Sequence, residues 1–177
     1  TTFSPDMSCT RAQIVTFLWR ANGSPKADGA NPFTDVSADA YYYDAVLWAV
    51  KEGITSGTSA TTFSPASPIT REQIFVTFGH AIGLQPSETT DSGLSDLDQV
   101  SDWAQGMVNS ILDAGYVSGV GNNMLMPLIP INRASVMAMM NTAVAGYANE
   151  SGTTMETEGD GGLVLVVADD VTVTGTV

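Results

Sequence analysis

Phe63-Ser64-Pro65, then Ile69-Thr70-Arg71-Glu72-Gln73, is a stretch that the chain repeats. Phe3-Ser4-Pro5 leads to Cys9-Thr10-Arg11-Ala12-Gln13, and Leu125-Met126-Pro127 leads to Ile131-Asn132-Arg133-Ala134-Ser135. Each time the proline precedes the arginine by six residues, and successive arginines lie 60 and 62 residues apart. Three of the six lysines and arginines stand at this one position. A long, regular period marks a repeat protein, in which a unit buries its apolar face only against its neighbours.

The motif predicts the start of a helix. Thr70 is a good N-cap, and Gln73 three residues on completes a capping box; Thr10 and Gln13 do the same. In the third copy Asn132 still caps, but Ser135 replaces the glutamine and Leu125 replaces the phenylalanine. Apolar residues then follow at helical spacing: Ile14, Phe17, Leu18 and Ala21; Ile74, Thr77, Phe78 and Ala81; Val136, Met139, Met140 and Ala143. An arginine in the first helical position opposes the helix dipole. Two readings of it stand. The N–H groups of an open helix terminus plus a guanidinium make a two-part anion site. Alternatively, the arginine pairs with Asp35 or Asp96 of a neighbouring copy.

The second copy serves as the template. Pro32-Phe33-Thr34-Asp35-Val36 leads to a helix over Tyr41–Val50, which Gly53 ends, and Gly53-Ile54-Thr55-Ser56-Gly57 forms a turn before Phe63. In the third copy Leu94-Ser95-Asp96-Leu97, Trp103 and Gly115-Tyr116-Val117-Ser118-Gly119 match these pieces. Thr1 aligns with Thr61, so residues 1–29 are the second half of a first repeat. Residues 30–88 and 89–148 are the second and third, 149–162 an acidic Gly/Thr linker, and 163–177 the start of a β-rich segment. The missing half-repeat has three sources: a boundary set within the copy, a proteolytic cut, or a second chain that completes repeat 1.

Composition narrows the function. With 19 acidic against 6 basic residues the formal net charge is −13, which argues against nucleic acid and against docking on anionic lipid by charge. No apolar run reaches the length of a membrane span. Cys9 is the sole cysteine and precedes the cap where other copies have isoleucine, so it reads as a buried apolar substitute. His80 is the sole histidine, near a helix end, with no Gly-x-Ser-x-Gly elbow around any serine and no second histidine or cysteine cluster for a zinc site. Asp35, Ser37 and Asp39 have calcium-loop spacing without the glycine and glutamate that such a loop needs. No carboxylate pair is marked by its setting, so the segment is read as non-catalytic and without a cofactor. Tyr41, Tyr42, Tyr43 and Trp103 read mainly as core, with room for one ring to stack on a sugar.

Phe33, Asp35, Val36, Tyr41, Trp48, Gly53, Ile54, Gly57, Phe63, Pro65 and Thr70-Arg71-Glu72-Gln73 stand in one order that resembles the S-layer homology repeat over about residues 1–147. The resemblance implies a mainly α fold, with three helical repeats in a pseudo-threefold arrangement, the first half missing, followed by the short β-rich tail. It also implies grooves between repeats that bind a pyruvylated secondary cell-wall polysaccharide. The motif arginine would contact the acidic group, a role that falls on Arg11, Arg71 and Arg133, with Asp35, Asp96, Gly57 and Gly119 beside it. The departures at Leu125, Asn132 and Ser135 imply a weakened anion site in the third copy. The expected place is the bacterial cell surface, and the alternative function is protein–protein interaction with other surface proteins.

Overall fold

The computed structural model describes residues 4–151, with side chains in the last helix as far as Thr142. Five helices form: α1 (Arg11–Ala21), α2 (Tyr43–Lys51), α3 (Arg71–Ala81), α4 (Gln105–Asp113) and α5 (Arg133–Ser151), with one 3-10 turn at Leu97–Gln99. Among the described residues there is no strand, only isolated bridges, and no helix long and apolar enough to cross a membrane. The β-rich segment expected at 163–177 and most of the linker lie outside the described residues. Helix α5 runs to Ser151, three residues into the stretch read as linker.

The caps form as the motif predicts. The Gln13 side chain accepts from Thr10 N–H at 2.9 Å, and Gln73 does so from Thr70 N–H at 3.1 Å. The threonine hydroxyls return the contact to the N–H groups of Gln13 and Gln73. In α5 Asn132 Oδ1 accepts from Ser135 N–H at 2.9 Å. The Ser135 side chain is too short to close the box. At the other end Gly53 takes φ +70°, where Gly53 N–H meets Val50 C=O and Ile54 N–H meets Ala49 C=O. This satisfies carbonyls that a helix end otherwise leaves open, and Gly23, Gly83 and Gly115 finish α1, α3 and α4 the same way. Helix α2 begins two residues later than expected, because Tyr41 and Tyr42 belong to the preceding turn and Tyr42 caps without a side-chain bond.

The motif loops meet in a closed ring. Cys9 N–H donates to Ile131 C=O, Ile131 N–H to Ile69 C=O, and Ile69 N–H to Cys9 C=O, each at 3.0 Å. These three side chains are at most 2 % exposed. Below the ring the helices α1, α3 and α5 pack together. Ile14, Phe17, Leu18, Ile74, Phe78, Val136, Met139 and Met140 line a void between them too small for a water molecule. All eight come from the apolar positions expected from helical spacing. Helix α2 then packs on α1, and α4 on α3. The first helix of one copy thus covers the second helix of the copy before it. Buried Glu72 adds a tie, accepting from Ser101 N–H and Ser101 Oγ at 2.9 Å each ahead of α4.

Candidate functional site

The motif arginines do not stand at open helix termini. Arg11 N–H donates to Ser67 C=O, Ala12 N–H to Pro65 C=O, Arg71 N–H to Ile129 C=O and Glu72 N–H to Pro127 C=O. Arg133 N–H and Ala134 N–H donate likewise to Met7 and Pro5. The next N–H goes to the cap side chain. The helix-terminus half of the expected two-part anion site is therefore consumed by the fold, and only the guanidinium half remains.

The guanidinium groups of Arg11 and Arg71 reach across to the next copy. Arg11 Nε donates to Phe63 C=O at 2.9 Å and Nη2 to Ser56 C=O at 2.7 Å. Arg71 Nε donates to Leu125 C=O at 2.7 Å, while Nη2 lies 3.5 Å from Ser118 C=O. Each also lies over one aromatic ring, but not at the same motif position: Phe63 at 4.7 Å for Arg11, Phe75 at 5.1 Å for Arg71. Burial pulls both guanidinium pKa values down, against the charges of Asp35 and Asp96 that hold them up. Both groups remain cationic at neutral pH.

Asp35 and Asp96 form no direct ion pair with these arginines. The Asp35 carboxylate accepts from Phe63 N–H and Ser64 N–H at 2.8 Å each, and Asp96 from Leu125 N–H at 2.6 Å and Met126 N–H at 2.8 Å. Gly57 lies where a Cβ would come within 2.5 Å of the carbonyls of Ser59 and Thr62, and 2.6 Å of the Phe33 ring. These residues build the loop that receives the arginine. Arg133 opens α5, half-buried, and its charge partly offsets the rise that burial imposes on the Cys9 thiol pKa.

One groove of about 490 Å³ contains a predicted site arginine. Its floor is Arg71 and Phe75 of α3, one wall is the segment from Gly115 to Val120, and the other is Ser135, Ala138, Met139 and Thr142 of α5. Arg71 and Gly119 are thus brought together; Arg11, Arg133, Asp35, Asp96 and Gly57 are not among its lining residues. Among the described residues that line it, Arg71 is the one charged side chain. Sequence reasoning missed Phe75, Tyr116, Ser135 and Thr142 as lining. Their signal was the offset from the arginine: Phe75 lies one helical turn beyond Arg71, on the same face. Tyr41 and Trp103, 62 % and 59 % exposed, lie outside this groove, while Tyr42 and Tyr43 pack on the core.

Residues 32–75 match the family described as S-layer homology domain. The chain is 31 % identical over 145 residues to the surface-layer 125 kDa protein of Lysinibacillus sphaericus, covering 80 % of this chain and 12 % of that protein. It is 31 % identical over 130 residues to an endoglucanase of Bacillus sp. (strain KSM-635), covering 73 % and 13 %. It is 24 % identical over 150 residues to the cellulosome-anchoring protein of Acetivibrio thermocellus, covering 80 % and 33 %. The chain spans no more than a third of the length of these relatives.

Proposed function

We propose that this chain, which carries an S-layer homology domain and so belongs with the bacterial cell-surface proteins that share it, is a non-catalytic anchoring module for an acidic cell-wall polysaccharide. Three repeats, at 1–29, 30–88 and 89–148, share a pseudo-threefold axis through the ring of Cys9, Ile69 and Ile131. The ring's three equal hydrogen bonds support that arrangement.

The observation that carries the ligand class is the Arg71 groove. It sets one cation and no described carboxylate along its lining, in a chain whose net charge is −13. An acidic sugar group brought to Arg71 leaves water for a guanidinium already held in place by Leu125 C=O, so little side-chain ordering remains to oppose binding. The hydroxyls of Ser118, Ser135 and Thr142 supply partners for sugar hydroxyls. In the endoglucanase the shared segment is 13 % of the protein, which supports a module separable from any catalytic domain. The test is sedimentation with cell walls before and after removal of pyruvate. Native walls should retain the chain, and depyruvylated walls or Arg71→Ala should retain at least tenfold less. Equal retention in all three arms overturns the reading.

A second reading, a protein–protein module, draws on the surface around the ring, where Met7, Leu128 and Ile129 are 62 %, 54 % and 45 % exposed. A stable dimer in solution that ignores wall polysaccharide would favour it.

A further inference from the structure

We propose that Ser135 decides which groove takes the polymer. The proposal rests on the anchoring reading and concerns the two arginines that the structure presents in comparable settings, Arg11 and Arg71. Each reaches the loop of the next copy, and the position to compare is the residue two places after the arginine of that next copy. For Arg71 this residue is Ser135, which lines the groove together with Ala138 and Thr142. On α3 the residues at the same offsets are Gln73, Val76 and His80. Every one of the three is larger than its counterpart.

The arginines differ in the matching sense. Arg11 Nε and Nη2 are each in short contact with a carbonyl, at 2.9 and 2.7 Å. Arg71 keeps one short contact, to Leu125 C=O, while Nη2 at 3.5 Å from Ser118 C=O is at the limit of a hydrogen bond. That nitrogen can turn to a ligand oxygen at little cost. Arg11 is thus a clamp between copies, and Arg71 is the ligand arginine. The change from glutamine to serine in the third copy, which by sequence reads as loss of a capping box, is what opens the groove. It acts on the arginine of the second copy, not on Arg133 of its own.

The substitution that tests this should not harm the fold. Ser135→Gln returns the long amide that caps the equivalent helices, and Ala138→Leu narrows the same groove from an exposed position on α5. The full chain is titrated calorimetrically with acidic polysaccharide extracted from Lysinibacillus sphaericus walls, and each variant's thermal midpoint is recorded. Ser135→Gln is expected to weaken binding at least tenfold with a midpoint equal to or above that of the parent, and Ala138→Leu to weaken it as well. If Ser135→Gln lowers the midpoint, Ala138→Leu decides. If Arg71→Ala abolishes binding while both groove-filling variants bind like the parent, the role of Ser135 is overturned and the anchoring reading stands. If the parent does not bind, or Arg71→Ala binds as the parent does, both fall.

Discussion

Arg11 and Asp35 meet across the backbone of Phe63: the guanidinium donates to its carbonyl at 2.9 Å and the carboxylate accepts from its N–H at 2.8 Å. Arg71 and Asp96 hold the backbone of Leu125 in the same way. A charge pair with one residue between its members orients the two peptides that flank that residue, without a direct contact between the charges. The second carboxylate oxygen holds Ser64 or Met126, whose φ values of +58° and +53° lie in the left-handed region. Such a conformation costs a non-glycine residue roughly 1–2 kcal/mol, which the two backbone N–H bonds donated to the aspartate offset. The aspartates therefore act on the loop that receives the arginine.

This gives Asp35 a measurable pH signature. Desolvation raises its pKa, but hydrogen bonds from Phe63, Ser64 and its own N–H, with the charge of Arg11, bring it below the ordinary carboxylate value. A carboxylate with a depressed folded pKa stabilises the fold above its unfolded pKa, about 4, and loses that contribution as pH falls through the folded value. Asp35→Asn should therefore lower the thermal midpoint at pH 7, with parent and variant converging in acid. Thermal melts across that range check it, and a gap that stays constant with pH would sink the assignment.

Gly57 and Gly119 occupy matching turns yet should differ in tolerance. An added Cβ at Gly57 meets two backbone carbonyls at 2.5 Å, and the Phe33 ring, itself packed on Phe63, at 2.6 Å. At Gly119 it meets Leu94 Cδ2 and Met124 C=O at 2.9 Å, and the leucine can turn away. Gly57→Ala is expected to cost about 1–3 kcal/mol, and Gly119→Ala less. Urea midpoints of the two variants give the order.

Much of the fold was legible in the sequence because it is local and repeated. Caps at Thr10 and Thr70, the glycine ends, and the stripe from Ile14 to Leu18 depend on neighbours along one helix, and the repeat made each visible more than once. What failed depended on contacts between copies. Helix N-termini looked open because their N–H groups find acceptors some 55 to 130 residues away, at Ser67, Ile129 and Met7. Asp35 looked like a partner for arginine because the Phe63 backbone held between them cannot be read from spacing. Ser135 looked like a loss for its own copy because the groove it lines belongs to the arginine before it.

Glu72 is a buried acid that the motif does not predict to be buried, since Ala12 and Ala134 fill its position in the other copies. Its two oxygens take the N–H and hydroxyl of Ser101, joining α3 to the turn that begins α4. Glu72→Ala leaves those donors without acceptors at a half-buried site and should cost about 1–3 kcal/mol. Adding Ser101→Ala removes one orphaned donor, so the double variant should lose less than the sum of the singles. Additive losses in a denaturation cycle would show that the contact contributes nothing of its own.

Arg11 is where the proposed division between a clamp and a ligand arginine can be checked. Its guanidinium is buried, bridges Ser56 and Phe63, and lies over the Phe63 ring. Arg11→Ala strips the buried Phe63 carbonyl and the more exposed Ser56 carbonyl of their donors and leaves a void, at a cost of roughly 2–4 kcal/mol. Arg11→Lys keeps the charge but loses the planar fork, so it should recover only part of that loss. Wall-polysaccharide affinity, measured below the variants' melting range, should stay within about threefold of the parent for both, a shift of less than 1 kcal/mol. A loss of affinity in Arg11→Ala as large as in Arg71→Ala would place Arg11 in contact with the polymer and end the distinction between the two.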